Sequence, residues 1–305
     1  MTAASPPREH HFVTQSWIKR FGDDDGQLYS YDHDTGEVKF RSSKKIMKIT
    51  DLYTLDRAGA DDTSIETQDL QVIDDRGAKA MSAVLGGDTS DNARTALAEY
   101  FSVQIMRDPQ RLFDYSRGAQ RFLSRLFIEV FSSKDFTDFQ TYFGDLVPEQ
   151  DYDHIKDLGL KQAALEIAKI QLSLEADDWM VELPFTDLIR VSDGREKLRD
   201  VLLALEWTLI TAPPHSFVLG DQGVLFDPGQ LRRGLRVPLD ASTALILAPA
   251  TNTRSTQICK RPARSYEPSA INYESAARSR RWVVGAKVAL DIVKSQVNGE
   301  PLPSR

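Results

Sequence analysis

The chain has 305 residues, of which 41% are hydrophobic and 27% are charged, and these fractions are typical of a folded globular protein. They exclude wholesale disorder, a collagen-like repeat and a coiled-coil rod. The 38 basic and 45 acidic residues give a formal net charge of −7, which argues against a permanent basic surface for nucleic acid. The single cysteine, Cys259, excludes an intramolecular disulfide framework and most thiolate metal sites.

The first predicted elements are a short helix and a β-hairpin. Residues 1–9 are expected to form a disordered arm. Apolar residues then recur at helical spacing in residues 10–21, which predicts a helix there. Residues 27–32 and 37–41 alternate between apolar and polar side chains around a turn that ends at Gly36, and this pattern predicts a β-hairpin.

The middle of the chain, residues 46–209, is predicted to be largely helical. Capping residues from Asp62 onward precede a helix that runs to Leu85, and Gly86 and Gly87 end it. The next helix begins after Asp88 and continues towards a proline. Further amphipathic stretches cover residues 119–132, 136–143, 153–176 and 195–205.

The last third of the chain has a different pattern, with short apolar runs separated by proline, glycine and aspartate. These runs predict a small buried sheet and cover residues 207–211, 216–220, 223–226, 235–239 and 243–247. A final helix is predicted over residues 273–297, followed by a flexible tail of residues 298–305. We therefore expect one α+β domain over residues 10–297, in which a largely helical middle, the N-terminal hairpin and the C-terminal sheet pack into one unit.

No membrane or targeting signal is evident in the sequence. The first eight residues lack the apolar core of a signal peptide. The longest mainly apolar run, residues 243–250, is far shorter than the roughly 20 residues that span a bilayer. We expect a cytoplasmic protein without membrane contact.

Residues 10–21, with the sequence His10-His-Phe-Val-Thr-Gln-Ser-Trp-Ile-Lys-Arg-Phe21, resemble the opening HHYVPQFYLRRF signature of a bacterial family, the domain-of-unknown-function family 4238. The resemblance continues in order along the chain to about Lys294. Residues 104–109 are similar to the family's QxxRTP, residues 216–224 to its PFITSDNPV, residues 237–247 to its PLSPxxALLL, and Asn272 stands where the family carries an asparagine.

Some positions depart from these signatures. Thr14 replaces the family's proline, and Asp108 replaces its threonine. In the turn at residues 220–223 only the aspartate, Asp221, is shared. The family has no settled activity, so the resemblance marks candidate positions and implies no reaction.

His10, His11 and Gln15 are the first candidate site residues. On a helix, His11 and Gln15 would project from one face because they are four residues apart. Two imidazoles beside an amide could hold a divalent metal or provide a general base with a positioned donor. Alternatively, the histidines cap the start of the helix and form local hydrogen bonds.

Gln104, Arg107 and Asp221 are the other candidates. Gln104 and Arg107 are three residues apart near a helix end, and a guanidinium there could bind a phosphate or a carboxylate. The alternative is a buried arginine paired with an acidic residue of the chain. Asp221 lies in a predicted turn between strands, where it could be a metal ligand or a base, or simply stabilise the turn.

The basic residues are concentrated near the C-terminus. The segment from Arg232 to Arg281 has ten basic residues and three acidic ones. It therefore carries +7, and the rest of the chain carries −14. This segment could contact the phosphates of a ligand or of nucleic acid, or it could dock onto the protein's own acidic helices or onto a protein partner.

Two functional hypotheses follow. In the first, the protein is an enzyme that acts on a phosphate-bearing substrate, such as a nuclease or nucleotide phosphodiesterase. His10, His11, Gln15 and Asp221 would then be catalytic, Gln104 and Arg107 would bind substrate, and a divalent metal is a candidate cofactor. In the second, the protein is a non-catalytic binding or regulatory protein, for example in a bacterial conflict or defence system.

Overall fold

The computed structural model describes residues 9–50, 55–57, 60–62, 70–109, 137, 149, 192–227, 230–250 and 257–299. The chain divides into two compact units, one made of residues 1–108 with 195–305 and the other of residues 109–194. Nearly all described residues belong to the first unit, which contains both ends of the chain. The boundaries of a single domain over residues 10–297 stay a prediction.

The described residues form six helices and twelve strands. The helices are α1 (Gln15–Ile18), α2 (Gln71–Leu85), α3 (Asp91–Met106), α4 (Ser192–Leu203), α5 (Glu267–Arg278) and α6 (Lys287–Val297). The strands are β1 (Glu9–His11), β2 (Tyr29–Asp32), β3 (Glu37–Phe40), β4 (Lys48–Thr50), β5 (Leu55–Arg57), β6 (Ala60–Asp62), β7 (Glu206–Thr211), β8 (Leu219–Gly220), β9 (Leu235–Asp240), β10 (Thr243–Ala248), β11 (Cys259–Pro262) and β12 (Trp282–Gly285). This mixture, with an N-terminal hairpin and a C-terminal sheet, confirms the predicted α+β class.

The N-terminal segment differs from its prediction. His10 and His11 lie in β1, which pairs antiparallel with β4, and α1 begins only at Gln15. Thr14 precedes the helix with extended backbone angles. The expectation that His11 and Gln15 share a helix face is therefore wrong, because the apolar spacing belongs only to the second half of the segment.

Three of the predicted C-terminal apolar runs form β7, β9 and β10 of a four-stranded sheet in the order β11-β7-β10-β9, and its fourth strand, β11, was not predicted. The run at residues 216–220 ends in β8, which belongs to the other four-stranded sheet. The β7–β10 and β10–β9 pairs are antiparallel, and β11 pairs parallel with β7. Most leucine, isoleucine and valine side chains of β7, β9 and β10 are buried, in agreement with the predicted buried sheet. The predicted strand at residues 223–226 makes a single bridge, between Leu225 and Arg236.

A second four-stranded sheet combines strands from the N-terminal and C-terminal parts of the chain. Its order is β3-β2-β12-β8, with every pair antiparallel, and β2–β3 is the predicted hairpin. β12 lies inside the predicted final helix, which is in fact α5, β12 and α6. The sequence Trp282-Val-Val-Gly285 favours a strand locally, because valine is stiff at χ1 and packs well on a pleated surface.

In the middle of the chain, α2, α3 and α4 confirm three of the predicted helices, whereas the start of the stretch predicted to be helical forms β4, β5 and β6. Gly86 ends α2, and Ser90 caps α3 through its hydroxyl, which accepts from the backbone N–H of Ala93 at 3.3 Å. α2 begins later than predicted, at Gln71. The predicted stretches at 119–132, 136–143 and 153–176 lie outside the described residues, except for Thr137. Of the helices described, none is long and apolar enough to cross a membrane.

Candidate functional site

The N-terminal signature is anchored by two buried hydrogen bonds. The hydroxyl of Thr14 lies 2.6 Å from that of Tyr100 on α3. The indole N–H of Trp17 donates to the carbonyl of Pro238 on β9 at 2.9 Å. The Trp17 ring also lies against Gly223, where an added Cβ would be 3.0 Å from the ring. The signature is thus held by a helix, a strand and the turn that contains Asp221.

Gln104 and Arg107 form a connected pair at the end of α3. Arg107 is 1% exposed, and both of its terminal nitrogens donate to the carboxylate of Asp74 on α2, at 2.8 to 3.0 Å. With its amide oriented to satisfy both of its groups, Gln104 donates to the carbonyl of Phe12 at 3.2 Å and accepts from Arg107 at 3.0 Å. The pair therefore links α2, α3 and the N-terminal segment.

Asp221 binds the loop between α5 and β12. Its Oδ1 accepts from the backbone N–H of Arg280 at 3.1 Å, and its Oδ2 accepts from those of Arg281 and Trp282 at 2.8 and 3.0 Å. Its own N–H donates to the hydroxyl of Ser279 at 3.1 Å. One carboxylate thus satisfies three backbone donors just where the chain leaves the helix and enters β12.

Asp221 is a buried carboxyl group whose pKa is shifted upward. Burial raises the pKa of Asp221 above its ordinary value, and the three backbone hydrogen bonds oppose this only partly. The nearby carboxylate of Asp108 raises the pKa further. Since Asp108 directly follows Arg107, the end of α3 and the turn at residues 220–223 lie close together.

The two histidines are held in β1. His10 is fully buried. The Nε2 of His11 lies 3.2 Å from the carbonyl of Ser43, which requires Nε2–H as the donor, and burial lowers the pKa of His11. Gln15 is half-buried at the start of α1. Within the described ranges, no group of three or more His, Cys, Asp or Glu side chains could hold a metal ion.

Asn272 also belongs to this site, although it was not among the candidate residues predicted from the sequence. Its Oδ1 accepts from the N–H of Val218 at 3.0 Å, and its Nδ2 donates to the carbonyl of Ser216 at 2.8 Å. The amide therefore bonds one backbone N–H and one backbone carbonyl of the segment that leads into Asp221. Its place in the family signature was the one signal that could have found it.

Many of the basic residues between Arg232 and Arg281 are paired within the protein. Ion pairs join Arg236 and Arg278 to Glu274, Arg261 to Glu267, Arg278 to Asp227, and Arg281 to Asp32 and Asp34. Lys260 donates to the carbonyl of Gly87 at 3.1 Å, at the end of α2. Arg254 lies outside the described residues. Much of the +7 segment thus meets acidic groups of its own chain.

The signature segments therefore converge. Gln104 and Arg107 touch each other and the N-terminal segment, while Trp17 lies against the turn that contains Asp221. A family model described as "Protein of unknown function (DUF4238)" matches residues 9–288. No curated protein and no solved structure matches the chain significantly.

Proposed function

Because the chain belongs to the DUF4238 family of proteins of unknown function, we propose a role based on the contacts of its signature residues: non-catalytic binding or regulation. One observation carries the proposal. To bind or activate a substrate, Gln104, Arg107 and Asp221 would need polar atoms that can reach it. These atoms instead form hydrogen bonds within the protein.

Catalysis requires groups that can reach a substrate. A phosphate clamp needs guanidinium N–H groups that point to solvent, but Arg107 is 1% exposed and directs both terminal nitrogens to Asp74. A general base needs a lone pair directed at the substrate, but both oxygens of Asp221 accept from backbone N–H groups. These contacts support a structural role for both residues.

A surface suited to a partner lies on α5. Tyr273 on α5 and Tyr266, which directly precedes the helix as its N-cap residue, are 52% and 58% exposed, and their spacing of seven residues places them about two turns apart on one side of the helix. Ala270 and Ala277, also exposed, continue this uncharged face. Arg264 lies beside it and donates to the hydroxyl of Tyr266 at 3.2 Å. Tyrosine and arginine are enriched at the centres of protein interfaces, and the positive charge of Arg264 favours an acidic protein surface as the partner.

The enzyme hypothesis remains the competing proposal. It is supported by the convergence of the signature segments, since residues from both ends of the chain would have to meet in one site. In this hypothesis His10, His11, Gln15 and Asp221 act on a phosphate-bearing substrate that Gln104 and Arg107 bind.

Alanine substitution of His11 distinguishes the two proposals. Purified wild type and the His11→Ala variant are assayed with Mg²⁺ or Mn²⁺ on single-stranded DNA, duplex DNA, RNA, nucleotides and bis(p-nitrophenyl) phosphate, and their unfolding is measured in parallel. Under a structural role, the variant loses thermal stability and neither protein shows turnover. Wild-type turnover that disappears in a His11→Ala variant of unchanged stability would contradict a non-catalytic role.

The proposed partner surface has its own test. A photo-cross-linking residue at Ala270 captures proteins in cells, and each captured protein is then purified and titrated against the whole chain. Binding to the true partner weakens with Tyr273→Ala and with Arg264→Glu, but not with the matched control Lys19→Glu, which changes an exposed charge outside α5. Equal binding by all variants would exclude the α5 face.

A further inference from the structure

In the part of the chain that the structure describes, one side of the edge strand β3 pairs with no strand, and this side is self-complementary. β3 is the first strand in the order β3-β2-β12-β8, so only one of its sides pairs with a strand in the described part of the chain. It also carries Phe40, whose side chain is 62% exposed. We infer that β3 pairs antiparallel with β3 of a second copy of this chain. The sheet β3-β2-β12-β8 of one copy then continues into the same sheet of the other copy across a twofold axis.

The backbone of β3 has hydrogen-bonding groups available for this pairing. The N–H of Arg41 donates to the carbonyl of Leu28 at 2.9 Å, and the β2–β3 register pairs Lys39 with Ser30. In an antiparallel ladder, alternate residues direct their N–H and C=O groups to the neighbouring strand. The backbone groups of Val38 and Phe40 therefore face away from β2, towards the open edge.

The charges on β3 select one register. When Val38 lies opposite Val38 of the second copy, Glu37 lies opposite the other copy's Lys39, and this pairing occurs twice. A twofold axis centred on Glu37 would set like charges opposite each other, and one centred on Phe40 would set Lys39 opposite Arg41. An axis centred on Lys39 would pair Glu37 with Arg41 but would also set Lys39 opposite Lys39 of the second copy, so only the register centred on Val38 has no like-charge pair. Glu37 and Lys39 are about half exposed and form an ion pair within one copy, so both can exchange partners. Charge complementarity thus identifies a second copy as the occupant of the edge.

The selected register also places the ring of Phe40 where the second copy has open space. Phe40 then lies opposite Gly36 of the second copy, at a position where an added Cβ would meet nothing within 4 Å. The ring can therefore cover the glycine without a clash. Tyr29 supports the ring from within one copy, with centroids 6.1 Å apart in an edge-to-face arrangement.

Charge reversal tests the pairing. The oligomeric state of the full chain is measured by sedimentation equilibrium over a wide range of concentration. Wild type is expected to dimerise, whereas Lys39→Glu alone and Glu37→Lys alone weaken dimerisation by roughly tenfold or more, because each sets two like-charge pairs across the axis. An equimolar mixture of these two variants is expected to restore the dimer, because each Glu again faces a Lys. The matched control, Lys19→Glu, changes an exposed charge that is not on β3 and is expected to leave dimerisation unchanged.

A backbone variant makes the test independent of charge. Val38→Pro removes an outward N–H and leaves the β2–β3 hydrogen bonds in place, so the variant keeps its circular dichroism spectrum but loses the dimer. Wild type that stays monomeric up to a concentration about 100 times the lowest one measured would overturn the inference. So would a dimer that persists in Val38→Pro, or a mixture of the charge variants that stays monomeric.

Discussion

Substitution of Asp221 by asparagine tests whether this residue holds the fold. The change keeps the size of the side chain but replaces one carboxylate oxygen with an NH₂ group. If the amide oxygen takes the place of Oδ2, the bonds from Arg281 and Trp282 remain. The NH₂ group then faces the N–H of Arg280, which loses its acceptor.

The expected loss of stability follows from that one donor. A buried polar group without a partner costs about 1–3 kcal/mol, so Asp221→Asn is expected to lower the free energy of unfolding by that amount. Asp221→Ala removes all three acceptor contacts and is expected to cost at least about 3 kcal/mol. For comparison, the total stability of a domain is about 5–15 kcal/mol.

Urea unfolding of wild type, both variants and a control measures these losses. Asp25→Asn makes the same chemical change at an exposed position and is expected to stay within about 0.5 kcal/mol of wild type. A pH series adds a second readout. Because the folded pKa of Asp221 lies above its ordinary value of 3.8, the folded state binds this proton more tightly than the unfolded state does.

The sign of the pH dependence follows from this difference. The contribution of Asp221 to stability is fully present below pH 3.8 and falls as the pH rises through the higher folded pKa. The difference in unfolding free energy between wild type and Asp221→Asn therefore shrinks with rising pH over that window. The structural role is refuted if Asp221→Asn matches the Asp25→Asn control at every pH.

Three further substitutions test the packing around the signature, each by thermal and urea unfolding. Gly77→Ala places a Cβ 2.1 Å from the ring of Tyr100 and is expected to cost about 2 kcal/mol or more; a loss below about 0.5 kcal/mol would show that the ring moves freely. Trp17→Phe loses the bond to Pro238 and is expected to cost at least about 1 kcal/mol, and no loss would mean that water replaces the indole. Tyr100→Phe leaves the hydroxyl of Thr14 without its 2.6 Å partner and is expected to cost about 1 kcal/mol, while adding Thr14→Val recovers most of it; additive losses would contradict direct coupling.

The elements that could be predicted are those specified by nearby residues. The β2–β3 hairpin follows from alternation around a turn with Gly36 at positive φ. The boundary between α2 and α3 follows from two glycines and a serine cap. In each case the side chains that decide the structure lie within a few residues of the backbone they act on.

The wrong predictions concern elements that depend on residues far away in the sequence. A helix was predicted through residues 273–297, but Asp221 binds three backbone N–H groups at residues 280–282 and β12 pairs with both β2 and β8. Likewise His10 and His11 form a strand because β4 is present to pair with them. The partners in both cases are about 40 to 250 residues away. A local pattern can favour a strand, as it does at residues 282–285, but it does not identify the partner with which the strand pairs.

The sequence by itself determined the α+β class, the hairpin, most of the apolar strands and, through its ordered signatures, the positions that meet in the fold. Only the tertiary structure decided how the polar atoms of those positions are used. Arg107 and Asp221 are compatible with phosphate binding or with internal contacts when they are considered as residue types. Burial and the distances to Asp74 and to the backbone after α5 distinguish these roles, because a hydrogen bond depends on where two groups meet in space.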